Sequence, residues 1–458
     1  MDIDACVHAL SLPLPEDILK RKWAGDLDGA VRAIDLRLAR TQLPDMLRQR
    51  LLCEKERLRR LPTQYPWNRE EAMAKLRELV PDVTEAEFDQ WELEGKIDFL
   101  YLQGEKRYFV RFHRSLVKTP ALASRAGEPV TAHSAWLDPM LEHIRREGSL
   151  GRRITLETSL SLAADKFVPG EYLAHLPFPA ACAQQSKVEL LSGDPDGIAP
   201  ADAPARTAYW QRHLDTWQDF RLRYRYVSRI RYADPLHRPA PKEPLYPAAL
   251  PVTAADLAEE PPFIRFTPYL RALAAEVTAG ESTPAGKAWC IYEFITTQVK
   301  YSFVRDYFQI DDLGEYCAVN LKGDCGLQAL LFINLCRIAG IPARWQSGLS
   351  ISESGAGSHD WAQFYLEGWG WLFADPSFGG SAYRCGSLER NAFYFGNLDP
   401  MRMVANRCFQ APLTPAMHAL RYDPYDNQSG ELERLGAETP FTGRDLDGEG
   451  LLVDWTDM

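Results

Sequence analysis

The stretch Gly323-Asp324-Cys325-Gly326 opens the segment GDCGLQALLFINLCRIAGIPARW, residues 323–345, and its reading decides the fold. From Leu327 on, Leu330, Leu331 and Leu335 recur at three- and four-residue steps, the pattern of a buried helix face. Gly340 and Pro342 stop that helix. Cys325 therefore sits at a helix N-terminus, where free N–H groups and the helix dipole favour a thiolate. Asp324 precedes it as a candidate cap, and an acid beside the thiol opposes ionisation.

Downstream the chain reads SHDWAQFYLEGWGWLFADPSF, residues 358–378. ARWQSGLS, DWAQFYLEG and WLFADP are expected strands, the last two joined as a hairpin by a GWG turn. His359 follows the glycine- and serine-rich SESGAGS and starts a strand. Asp375 lies on the neighbouring strand, where it meets His359 across the pair and fixes its tautomer. Cys325, His359 and Asp375 are thus candidates for nucleophile, base and orienter. Trp361, Trp369 and Trp371 read as core or cleft wall.

The chain has 458 residues, enough for several domains, with 46% hydrophobic and 25% charged residues as in an ordinary globular protein. The formal net charge of −11 argues against a nucleic-acid or anionic-membrane partner for the chain as a whole. No apolar run is long enough to span a bilayer, and the N-terminus has early aspartates and no basic region before its short apolar patch. The nine cysteines show no CxxC spacing, so reduced thiols in a cytoplasmic protein are expected.

Five regions follow in order. Residues 1–64 read as helical, with Ile18, Trp23, Val31, Ile34 and Leu38 at helical steps; the EKERLRR run, Glu54–Arg60, reads as a solvated helix face. Residues 65–118 hold a helix at Arg69–Val80, a second started by the capping box Thr84/Glu87 and ended at Gly95, and a hairpin IDFLYL/RYFVRF. That order resembles a winged helix. The second helix, TEAEFDQWELEG, is acidic and repels phosphate, so packing or partner docking is expected rather than DNA binding. Residues 150–232 read as a β-sandwich-like module in which FRLRYRYVSRIRY, residues 220–232, alternates inward aromatics with outward arginines. A proline-rich connector leads to a unit at 255–410, and residues 411–458 read as an acidic, solvated tail. Within the tail, DLDGEGLLVDW has part of a calcium loop's spacing but has Thr456 where the bidentate glutamate belongs.

The three blocks GDCGLQALLFINLCRIAGIPARW, HDWAQFYLEG and GWLFADPSFGG, with the lead-in AWCIYEFITTQVKYSF, make residues 286–380 resemble the transglutaminase-like, papain-related superfamily. The resemblance implies an α+β fold: a helix bearing the cysteine packed on an antiparallel sheet, preceded here by the helical, winged-helix-like and β-sandwich-like regions. It also implies Cys325 as nucleophile, His359 as general base and acid, and Asp375 as orienter. The oxyanion hole would use the Cys325 N–H plus an upstream donor, with Tyr301 the first candidate and Tyr307 or Asn320 the others. No cofactor or metal is implied. Acyl-enzyme chemistry on a peptide or protein substrate is expected, with hydrolysis first and glutamine-to-amine acyl transfer as the alternative. A catalytically silent binding or scaffold protein on this fold is the alternative of another class.

Overall fold

The computed structural model describes residues 7–40, 42–127, 134–247 and 249–458. The first six residues, including the aspartates on which the reading of the N-terminus leans, lie outside them. The Cys325 helix, Cys325–Ile338, is the central element: every residue from Gly326 to Arg337 is buried. Asp324 caps it, its carboxylate accepting the Leu327 N–H at 3.3 Å. Gly340 ends it with a φ of +82°, a left-handed conformation that glycine adopts without steric cost.

One face of that helix packs on an antiparallel five-stranded sheet. The spatial order is Phe395–Gly396, Gly370–Ala374, Gly355–Leu366, Ala343–Ser352, Arg402–Asn406. Strand alternation assigns the two faces. On the strand Gly355–Leu366, Phe364 meets Phe332 of the helix at 5.6 Å, and Asp360 shares that face. Trp361 lies on the other face with Val404, Phe373 and Leu398. Trp361, Trp369 and Trp371 are all buried, as core residues would be.

The β-module consists of two four-stranded sheets. Gly170–Pro177, Thr207–Leu214 and Gly197–Ile198 lie in one, and Ser149–Leu162, Phe220–Arg231 and Gln185–Ser192 in the other. The expected alternation holds: Phe220, Leu222, Tyr224 and Tyr226 are buried while Arg221 and Arg223 are exposed. The C-terminal segment is not a solvated tail. Glu431–Arg434 pairs with Gly170–Pro177, and Leu446–Asp457 with Ser149–Leu162, so each sheet gains an edge strand from it. Backbone pairing is satisfied by partners roughly 250 to 300 residues away, which local composition cannot report. The DLDGEG stretch lies in the second of these strands, and no group of ligating side chains suited to a metal occurs among the described residues.

At the front, helices Arg69–Leu79 and Glu85–Leu93 precede the hairpin Phe99–Leu102/Glu105–Tyr108. Both capping boxes, Asn68/Glu71 and Thr84/Glu87, form. This unit packs on the core: Ser115 Oγ accepts the Phe303 N–H at 3.0 Å, and the Arg111 guanidinium lies 3.6 Å from the Phe303 ring centre.

The helix Asp45–Gln64 corrects the reading of the charge run. Glu54 and Arg57 are fully buried and Arg60 almost so. Glu54 receives Lys22 at 2.7 Å, Arg50 at 2.8 Å and Arg57 at 3.0 Å. Burial pushes its carboxyl up, but Arg57, Lys22 and Arg50 outweigh that and hold it at about 2. Arg60 donates to the carbonyls of Leu420, Arg421 and Tyr422 at 2.9–3.1 Å. A mixed-sign run is solvated only if nothing covers it; here residues 420–422 cover Arg60, while Lys22, Arg50 and Asp311 close over Glu54 and Arg57. No helix among the described residues is long and apolar enough to cross a membrane, and every described cysteine is a free thiol.

Candidate active site around Cys325

The start of the Cys325 helix faces a cavity of about 230 Å³. Four parts of the chain wall it. Arg111 comes from the winged-helix-like unit, Tyr301 and residues 303–308 from the lead-in, Ser358 and Asp360 from the sheet, and residues 422–430 from the C-terminal segment. Arg60 fixes that last segment by its carbonyls, so the charge run of the N-terminal helices shapes the cavity roof.

The Cys325 thiol donates to Asp360 Oδ2 at 3.2 Å. Burial first, then Asp360 and Asp324, push its pKa well above the ordinary thiol value. The helix N-terminus, expected to favour the thiolate, is therefore outweighed in this arrangement. Asp360 is itself pushed well up, by burial and then by Asp426. Gln428 Nε2 donates to its other oxygen. Asp426 in turn accepts Ser347 Oγ at 2.7 Å. Asp324 is raised to about 6 by burial, although Tyr307 donates to it at 2.5 Å. Gly326 follows Cys325 because little else fits: a Cβ there would lie 2.1 Å from the Tyr307 hydroxyl and 2.8 Å from Asp360 Oδ2.

His359 and Asp375 meet, His359 Nε2 to Asp375 Oδ2 at 2.8 Å. Asp375 lies one residue past its strand and caps the helix Pro376–Arg384, accepting the Phe378 N–H at 2.9 Å. Burial raises its carboxyl, but His359 and Arg402 outweigh this and hold it below the usual carboxylate value. Arg402 reaches Asp375 at 3.0 Å and is anchored by Asp399 at 2.7 Å. The His359 ring lies against Phe378, 4.7 Å between ring centres. The imidazole is thus oriented by a carboxylate and an aromatic wall.

The structure brings together His359 with Asp375, and Cys325 with Asp360; no hydrogen bond joins Cys325 to His359. Neighbouring residues of a strand point to opposite faces, and Asp360 is the one on the Cys325 face. Of the oxyanion candidates, Tyr301 and Tyr307 line the cavity, and Cys325 and Asp324 act on Tyr301 after burial in raising its pKa. Asn320 turns back to the Tyr316 carbonyl at 2.8 Å. Asp360, Asp426, Gln428 and Arg402 were not legible as site residues. Asp360 alone carried a signal, an acid adjoining the candidate base on a strand beside the cysteine helix.

This arrangement can be set beside known proteins. Residues 271–376 match the transglutaminase-like superfamily. The match ends one residue past Asp375, so the transglutaminase-like core contains Cys325, His359 and Asp375 together. Solved structures similar to this chain include a candidate cysteine protease from Cytophaga hutchinsonii, 14% identical, covering 68% of this chain and 90% of that one, with a TM-score of 0.34. The periplasmic domain of TgpA from Pseudomonas aeruginosa is 18% identical, covering 56% of this chain and 97% of that one, with a TM-score of 0.28. A search of the curated proteins finds no match.

Proposed function

We propose that the transglutaminase-like core is a cysteine-dependent enzyme that forms an acyl-enzyme on Cys325 from a peptide or amide and resolves it with water. The observation that carries this reading is the Cys325 thiol at the head of a buried helix and lining a cavity, with an oriented His359–Asp375 pair on the adjoining sheet. In the reacting arrangement His359 replaces Asp360 at the sulfur and takes the thiol proton, and the sulfur adds to the substrate carbonyl carbon. The oxyanion forms against the Cys325 N–H and Tyr301. The C–N bond breaks, and His359 returns the proton to the leaving amine. Water, deprotonated by His359, then cleaves the thioester, releasing the acid and restoring the thiol. Asp375 holds the imidazole and stabilises its charged form. In the resting arrangement Asp360 holds the thiol neutral and His359 lies on the other face of its strand, so the reaction requires that hydrogen bond to break and the His359 segment to turn toward the sulfur.

One observation favours the second reading, transfer to an amine. The cavity wall carries Asp306, Asp324, Asp360, Asp423 and Asp426 alongside Arg111 and Arg305, an acid-rich lining able to hydrogen-bond an amine acceptor. A peptidyl acyloxymethyl ketone is expected to modify Cys325 faster than the exposed Cys408, and Cys325→Ala to abolish that adduct. Modification of Cys408 alone would remove the enzymatic reading and leave a binding protein on this fold. A labelled amine offered with a glutamine peptide separates the two enzymatic readings: incorporation means transfer, and release of acid means hydrolysis.

A further inference from the structure

A second cavity, of about 570 Å³, lies between the β-module loop at 181–184, the proline-rich connector and the beginning of the strand Ala343–Ser352. Its size falls in the range of small-molecule sites. Two of its lining side chains are buried with a polar atom left unpartnered. Trp345, 2% exposed, has no acceptor for its indole N–H, and Gln184, 3% exposed, has no donor for its Oε1. A buried donor or acceptor without a partner costs about 1–3 kcal/mol, so groups like these usually have one.

The charges tell more. Arg337, Arg344 and Arg407 line this cavity with Asp256 and Glu260, one positive charge in excess on a chain whose net charge is −11. Arg337 is paired with Glu260 at 3.4 Å. Asp256 is occupied by the Thr253 N–H and hydroxyl, at 2.8 and 3.0 Å. Arg344 and Arg407 make no ion pair among the described residues. Arg344 gives its Nε to Gln363 at 2.8 Å and stacks 3.8 Å from the Trp371 ring centre. Arg407 donates to the Asp202 carbonyl, and its Nε is buried without a partner. Burial holds the Arg344 pKa below the usual value. Water would fill these hydrogen bonds without supplying a counter-charge.

We propose that this cavity binds a small organic carboxylate with an apolar body. The carboxylate lies between Arg344 and Arg407. The body rests on Phe409, Leu250 and Pro251. A single excess positive charge suits a monoanion over a phosphate dianion. Gln184 Oε1 accepts from any donor group the ligand carries.

Phenylacetate is the probe, read by saturation-transfer NMR on the full chain. The expected result is transfer to phenylacetate and little to the isosteric neutral phenylacetamide. Arg344→Met and Arg407→Met should each weaken binding roughly tenfold or more, as loss of a charge-assisted hydrogen bond does. Absent transfer to phenylacetate, equal transfer to phenylacetamide, or undiminished binding in folded variants overturns the proposal. The phenylacetamide comparison decides on the wild-type chain if a variant fails to fold.

Discussion

Replacing Asp360 by Asn tests the arrangement around the Cys325 thiol most directly. The side chain keeps its shape, so access to the thiol stays the same. What changes is the charge 3.2 Å from the sulfur. At that distance a full charge acts on the thiolate with about 5 kcal/mol at an effective dielectric constant of 20, which sets a ceiling. The carboxyl does not carry a full charge throughout, because burial and Asp426 push its pKa up. A better measure is the hydrogen bond itself, since bonds to charged groups contribute roughly 1.5–3 kcal/mol. Losing that preference for the thiol form raises the thiolate fraction by about ten- to a hundredfold. The assay is the rate of Cys325 alkylation by iodoacetamide at pH 7.5, followed by peptide mass spectrometry with Cys408 as internal reference. Asp360→Asn is expected to accelerate alkylation within that range, while His359→Ala gives no acceleration. If Asp360→Asn slows alkylation and His359→Ala leaves it unchanged, Asp360 is the group that activates the thiol. The division of roles between Asp360 and His359 is then wrong.

Two further predictions concern the frame of the site. Glu54→Gln removes the carboxylate from a buried cluster of Lys22, Arg50 and Arg57, and should cost about 3–5 kcal/mol in chemical denaturation at pH 7. Its folded pKa of about 2 lies below the ordinary 4.5, so this contribution is present above about pH 4.5 and fades as pH falls through 2; a cost that persists undiminished at pH 2 would refute the account. Glu431 behaves in the opposite sense. It accepts the Tyr422 and Asp423 N–H groups at 2.8 Å, and burial lifts it from 4.5 to about 7. Its contribution is therefore complete below about pH 4.5 and lost as pH rises through 7. The stability difference between wild type and Glu431→Gln should shift by roughly 3 kcal/mol between pH 4 and 8; parallel curves would remove Glu431 as the source.

Much of the core was legible because its signals are local. The stop at Gly340, the Thr84/Glu87 capping box and the alternation of residues 220–231 each depend on backbone rules acting over a few residues. The separation of His359 and Asp375 across one hairpin belongs to the same class, since register follows from strand period and turn length. The failures share one physical cause. Whether Arg60 is solvated depends on carbonyls contributed at 420–422, and whether Arg57 is depends on Asp311, both far along the chain. Whether residues 431–457 are a tail depends on open sheet edges elsewhere.

Local sequence, with its resemblance to a family, determined the cysteine helix, the strands that follow it, and the three residue types that chemistry of this kind needs. The tertiary structure alone decided which side chain faces the thiol. Two adjacent residues, His359 and Asp360, differ by one step on a strand, and a strand sends successive side chains to opposite faces. Which face meets the Cys325 helix is set by packing of the whole sheet. That packing, with a lid from residues 422–430 pinned by an arginine of the N-terminal helices, places an acid against the sulfur and the imidazole against Asp375.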